Sequence, residues 1–177
     1  MLEDFSAHLL DISQNSVVAD ASKIVVTIHD DDFLIFEISD DGKGMSAEQV
    51  ASVTDPFFTS RKTRRVGMGL PFLKQASELC GGEFSLTSQL GVGTTVFASF
   101  DKSNIDMPPK GDIPASILTL LIDAPNVHWV FRYEKNNKTF EVDSKELEEV
   151  IDGLESLHSP DVALGLLDFI KNGIDAL

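Results

Sequence analysis

An alternating apolar run, Phe33-Leu34-Ile35-Phe36-Glu37-Ile38, stops at two carboxylates, Asp40 and Asp41, and glycines follow at positions 42 and 44. This stretch constrains the chain most. Alternation of period two predicts a half-buried strand over residues 33–39. Glycine lacks a Cβ, so the turn behind the strand can fold tightly and be approached closely. The strand therefore delivers a fixed carboxylate to the edge of an open backbone surface. Such a carboxylate accepts a hydrogen bond from an exocyclic amine, the amino group of adenine being one example. A polar glycine turn is common in proteins, so the neighbouring segments decide its meaning.

Upstream, residues 3–19 carry Leu9, Leu10, Ile12, Ser16, Val17 and Ala19 at helical spacing, a mostly apolar face, and predict an amphipathic helix. Asp11 and Asn15 are four residues apart on one face of it, with His8 on the same side. An amide oxygen is a hard ligand suited to Mg2+, and an acid one turn earlier can orient or deprotonate a water. Residues 23–29 alternate as a second strand. Asp30-Asp31-Asp32 then turns into the strand at 33–39, which predicts an antiparallel hairpin. Ser46, with Gln49 three residues on, is the pattern of a capping box for a short helix over 47–54.

Residues 55–68 read as irregular and hold the chain's only basic cluster, Arg61-Lys62-Thr63-Arg64-Arg65. Gly67-Met68-Gly69 then opens a helix over 70–79, with Pro71 in the first turn, where a missing N–H costs little. A helix N-terminus beside glycine backbone is an anion site. Residues 83–88 and 94–100 predict two further strands around Gln89-Leu90-Gly91-Val92-Gly93.

Taken in order, these segments resemble the ATP-binding domain shared by gyrase, heat-shock chaperones, histidine kinases and MutL. His8-Leu-Leu-Asp11-Ile-Ser-Gln-Asn15-Ser16 is similar to the family's N box, and Asp40-Asp41-Gly42-Lys43-Gly44-Met45 to its first glycine box. Asp55-Pro-Phe-Phe-Thr-Ser-Arg61 is similar to the aromatic box of histidine kinases, Gly67-Met68-Gly69-Leu70 to the second glycine box and Gly91-Val-Gly-Thr94-Thr95 to the last. The resemblance covers residues 5–100 and is closest to the histidine kinase branch; a MutL-like reading is the weakest. It implies an α/β two-layer sandwich of the Bergerat type: helices 3–19, 47–54 and 70–79 on one face of a mixed, mainly antiparallel sheet.

The resemblance also implies roles. Asn15 holds Mg2+ bridging the phosphates of ATP. Asp40 accepts the adenine amino hydrogen. Gly42, Gly44 and Met45 admit and line the base, and Thr94 reaches it through its hydroxyl. Residues 46–69 form a lid whose end, Gly67, Met68, Gly69 and Leu70, contacts the phosphates, while Arg61 or Lys62 neutralises the γ-phosphate. Asp11 stands where hydrolysing branches carry Glu and histidine kinases usually Asn. It is one methylene shorter than Glu, so slow hydrolysis, or none without a partner, is expected.

The sequence sets residues 1–100 apart as the nucleotide domain, residues 101–112 as a linker, and residues 113–177 as an appendage of unknown role. The appendage reads as a strand over 117–122, a hairpin around Asn136-Asn137, a helix capped by Ser144 and ending near Leu154, and a last helix from Pro160 towards Ile174. Trp129, Phe131 and Tyr133 alternate with polar residues and read as core. The appendage leaves three roles open: extending the sheet, capping the domain, or forming a homodimer. No helical hairpin with a phospho-accepting histidine precedes a domain that starts almost at Met1. Autophosphorylation is therefore not expected, and a kinase activity needs a protein partner or substrate.

The formal charge of −15 over 177 residues argues against nucleic acid and against an anionic membrane surface. Cys80 is the single cysteine and excludes an intramolecular disulfide. Without a signal pattern or an apolar run of spanning length, a cytoplasmic protein is expected. Three functions follow as expectations. ATP is used to phosphorylate or switch a protein partner; or Asp11 supports a slow ATPase gated by the lid; or the chain is a non-enzymatic nucleotide-sensing adaptor.

Overall fold

The computed structural model describes residues 4–54 and 69–177. Its spine is a six-stranded sheet of β1 (Lys23–Asp30), β2 (Phe33–Asp40), β3 (Phe84–Gln89), β4 (Gly93–Asp101), β5 (His128–Lys135) and β6 (Lys138–Asp143). The order across the sheet is β3-β4-β2-β1-β5-β6. Every neighbouring pair is antiparallel except β1 and β5. The hairpins at 23–40 and 128–143 are as expected. Asn136 and Asn137 both take positive φ, 52° and 59°, the backbone a two-residue turn needs to match the twist of its strands.

Alternation puts one face of the sheet into the core. Ile24, Val26 and Ile28 on β1 stand level with Ile38 and Phe36 on β2 and with Trp129, Phe131 and Tyr133 on β5. All are at most 3% exposed. The helix α1 (Phe5–Val18) lies on this face through Phe5, Leu9 and Ile12. Phe5 meets Phe36 and Phe100 edge-on at 5.1 and 5.7 Å between ring centres. The other helices are α2 (Ala47–Val53), α3 (Gly69–Leu79), α4 (Ile113–Asp123), α5 (Ser144–Ile151) and α6 (Pro160–Asp175), with a 3-10 turn at Leu154–His158. Cys80 is fully buried. Among the described residues no helix is long and apolar enough to cross a membrane.

The region after residue 112 departs from the expectation in two places. Residues 117–122 are not a strand; they are the interior of α4. Its buried residues, Ile113, Ser116, Ile117, Leu120 and Leu121, recur at helical spacing. The Asp112 side chain caps it by accepting from Ala115 N at 2.9 Å, and Pro114 sits in its first turn. Secondly, Ser144 does not cap α5. Asp143 does, accepting from Lys145 N, while Ser144 Oγ accepts from Trp129 N and ties the helix to β5. That helix ends at Ile151, and Leu154 belongs to the 3-10 turn.

The strand β5 joins the sheet in parallel with β1, so the two need a long crossover. Residues 101–112 contribute to it and are themselves tied down. Phe5 N and Ser6 N donate to the carbonyls of Pro109 and Lys110. Lys102 and Lys110 converge on Asp30 at 2.8 and 2.5 Å, and the Tyr133 hydroxyl donates to the same carboxylate at 2.6 Å. Burial pushes the Asp30 pKa up, but the bonds from Lys102, Lys110 and Tyr133 outweigh it and hold the carboxyl well below the usual carboxylate range.

Candidate functional site

The C-terminal end of β2 brings together residues far apart in sequence. Asp40 Oδ2 accepts from Ser16 Oγ of α1 at 2.5 Å, while Oδ1 accepts from Gly42 N at 2.9 Å and Thr94 N at 3.2 Å. The carboxylate thus links α1, the turn after β2 and the start of β4. A carboxylate has about four lone-pair positions. Among the described residues two on Oδ1 are filled and one on Oδ2, so one acceptor position on Oδ2 is left without a partner there.

The next residue, Asp41, does different work. It accepts from the backbone N of Ser22 and Lys23 and from Ser22 Oγ, pinning the start of β1. The bond from the Ser22 hydroxyl is the chief reason its pKa lies below the ordinary value. The two adjacent aspartates therefore divide, one turned to the site and one to the scaffold.

Close backbone approach explains the glycines. Gly44 has φ +65°, and a Cβ there would stand 2.0 Å from the carbonyl oxygen of Gln89. A Cβ on Gly42 would meet the Ala19 carbonyl at 2.7 Å, and one on Gly93 the Asp40 carbonyl at 1.9 Å. The turn is sewn to its neighbours by Lys43 N to Ala19 O at 2.9 Å and Gly91 N to Lys43 O at 2.8 Å. Gly44→Ala adds both a positive-φ penalty and a backbone clash. We expect it to cost roughly 2 kcal/mol and to lower the Tm by about 4–8 °C in a thermal melt. A shift under 1 °C would mean the turn relaxes freely.

Met45 is half-buried, and its N donates to Ser88 Oγ at 2.8 Å. Ser88 Oγ also lies 3.0 Å from the Gly93 carbonyl and 2.8 Å from Thr94 Oγ1. With Ser88 donating to that carbonyl, the Thr94 hydroxyl is the donor in its contact with Ser88, which leaves Thr94 Oγ1 free to accept. On α1, Asn15 is exposed and Asp11 half-buried. The Asp11 Oδ2 atom is buried without a hydrogen-bond partner among the described residues, and burial raises its pKa. It lies against the start of α3, where a Cβ on Gly69 would fall 1.6 Å from it. Leu70 is 8% exposed and packs into the core.

The structure thus gathers Asp40, Gly42, Gly44, Met45 and Thr94 at one end of the sheet, and brings Asp11 to Gly69. Arg61, Lys62, Gly67 and Met68 lie outside the described residues. Sequence reasoning gave Ser16 no role beyond its place in the N box and passed over Ser88. A serine on the buried side of α1 is a usable signal for the first. Nothing local marks the second, whose partners come from the turn after β2 and from β4. Among the described residues no group of three His, Cys, Asp or Glu could hold a metal by itself.

Comparison with known proteins finds relatives and a fold neighbour. The sensor kinase CckA of Brucella abortus is 31% identical over 106 residues, which are 59% of this chain and 11% of that protein. The histidine protein kinase DivJ of Caulobacter vibrioides is 33% identical over 79 residues, 42% of this chain and 13% of that one. The chain therefore spans little more than a tenth of the length of these relatives. In fold, it is similar to the ADP-bound ATPase domain of Aquifex aeolicus MutL, with a TM-score of 0.57 at 17% identity over 86% of this chain and 70% of that one. Residues 4–104 match the model of the histidine kinase-, DNA gyrase B- and HSP90-like ATPases, more than half of the chain, and the protein belongs to that family.

Proposed function

We propose that the domain binds Mg·ATP, with the adenine amino group on Asp40 Oδ2, and uses the nucleotide to phosphorylate or switch a protein partner. The observation that carries this reading is the Asp40 network. Among the described residues three protein donors orient one carboxylate and leave a single acceptor position open beside glycines whose missing Cβ atoms clear the approach. Gly42, Gly44 and Met45 line the base in this reading, and Thr94 offers its hydroxyl oxygen to it. Ser16 and Ser88 act as positioning residues, the first on Asp40 and the second on Met45 and Thr94. Residues 4–104 carry the nucleotide, and residues 113–177 serve the partner.

The residues present fit Mg2+ only with the phosphates as co-ligands. Asn15 offers one hard oxygen from an exposed position on α1, and Mg2+ is held in this way in many nucleotide sites, by one or two protein oxygens plus phosphates. When bound, the ion neutralises phosphate charge. Gly69, the backbone of Leu70, Arg61, Lys62, Gly67 and Met68 are proposed to face the phosphates at the lid end. Asn15→Ala is expected to lower ATP affinity about tenfold in the presence of Mg2+ and to leave it unchanged in EDTA. Isothermal titration calorimetry reads both. An equal loss in the two conditions would remove Asn15 from the metal.

A second reading, a slow lid-gated ATPase, is favoured by Asp11. A partly buried carboxylate whose Oδ2 has no partner among the described residues, and whose pKa burial raises, is suited to take a proton from water. We expect Asp11→Asn to reduce phosphate release at least tenfold. Wild-type release is expected to fall as pH drops through a pKa that burial has raised above the ordinary aspartate value. Gly69→Ala, which pushes into Asp11, is expected to act in the same direction. Equal rates for wild type and Asp11→Asn would assign the chemistry elsewhere and leave the transfer or switching reading.

A further inference from the structure

The far end of the sheet from β3 carries a second feature. The edge strand β6 and the helices α5 and α6 enclose an open groove of about 440 Å³ whose walls are mainly apolar. Leu147, Val150 and Ile151 form one wall, and Val162, Leu166 and Phe169 the other. Val150 is 81% exposed and Phe169 55%, an unusual outlay of apolar surface at one spot. Gly165 opens the α6 side, and a Cβ there would meet nothing within 4 Å.

The charge around the groove is one-sided. All its charged lining residues are acidic: Glu141, Asp143 and Glu146. Arg132 pairs with Glu141 and His128 with Asp143, whereas Glu146 has no ion pair among the described residues. Glu148, Glu149, Asp152 and Asp168 are exposed on the same two helices and the turn between them. From residue 141 to the end the chain has ten acids and two lysines.

From this geometry and charge we propose that the groove receives a basic amphipathic helix from a partner protein. Apolar anchors at i, i+3 or i+4, and i+7 enter between α5 and α6, and lysine or arginine on the flanks of the same helix meets the acidic rim. No described helix of a second copy of this chain fits. None of its described helices carries more than one lysine or arginine, and two acidic rims repel. Nucleic acids and anionic membranes are repelled for the same reason. The groove lies outside the nucleotide constellation, so its occupancy is testable without ATP.

The test uses the full chain without nucleotide and a fluorescein-labelled eighteen-residue peptide of leucine and lysine at helical spacing. Two control peptides have the leucines scrambled, or glutamate in place of lysine. Fluorescence anisotropy is expected to show saturable one-to-one binding of the first peptide alone, weakening at least fivefold when salt is raised from low to high. Val150→Asp adds a charge to an exposed position, and Gly165→Leu fills the groove while improving helix propensity. Both variants are expected to keep the wild-type melting temperature or exceed it, and to bind the peptide at least tenfold more weakly. Binding unchanged in both variants, or shared equally by either control peptide, would overturn the proposal. So would a wild-type dimer in light scattering that Gly165→Leu converts to monomer, because the groove would then belong to a second copy.

Discussion

Asp40→Asn is expected to reduce affinity for ATP and for ADP by about a hundredfold while leaving the chain folded. The amide is the same size as the carboxylate but has one acceptor and one donor end. If its oxygen stays on Gly42 N and Thr94 N, its NH2 group points at the adenine amino group, donor against donor. If it turns over, the base regains an acceptor, but the NH2 group then confronts those two backbone N–H groups, now less than 3.3 Å away. Neither orientation satisfies both sides. Hydrogen bonds to a charged acceptor contribute roughly 1.5–3 kcal/mol each, and 1.4 kcal/mol is tenfold in affinity. Calorimetry on the folded variant, checked by circular dichroism, decides the matter. Wild-type affinity in Asp40→Asn would place the purine somewhere else.

The largest expected effect on stability lies elsewhere, at Asp30. Its carboxylate is 2% exposed and takes bonds from Lys102, Lys110 and Tyr133, so it joins β1 to the crossover and to β5. Removing one member of a buried charged cluster costs about 3–5 kcal/mol, because the partners are left without their acceptor. Asp30→Ala is expected to lose about that much in urea unfolding and to melt about 10 °C lower. Tyr133→Phe, which removes a single hydroxyl, is expected to cost about 1 kcal/mol. The pH dependence has a definite sign. The folded pKa of Asp30 is depressed, so its contribution is complete above the unfolded value of about 3.9 and is lost as pH falls below it towards the folded value. Wild type is therefore expected to lose stability below about pH 4 more steeply than Asp30→Ala. A loss under 1 kcal/mol in Asp30→Ala would show the lysines to be solvated well enough to do without it.

The motifs of the site were legible because each is local. A capping serine, a strand that ends in a carboxylate, and glycines at fixed offsets record what the backbone must do within a few residues. Asp40, Gly42 and Gly44 could be found in this way, and so could the hairpin at Asn136-Asn137. Ser88 could not, since its hydroxyl matters only once β3 lies beside β4 and the turn of residues 42–45 comes over both. The apolar run at 117–122 was misread for a related reason. Six apolar or β-branched residues fit a strand or a helix equally, and the deciding signals, Asp112 and Pro114, stand just before the run.

By itself, the order of short patterns along the chain was enough to indicate the family and the two-layer fold, because those patterns are imposed by backbone geometry and by the chemistry of one ligand class. Tertiary structure alone decided three other things: that β5 enters the sheet parallel to β1, that Asp30 gathers two lysines and a tyrosine from beyond residue 100, and that α5 and α6 leave an acidic-rimmed groove. Each depends on contacts between residues far apart in sequence. No local preference encodes such contacts, because the free energy that selects them appears only when distant surfaces close on one another and water is expelled from between them.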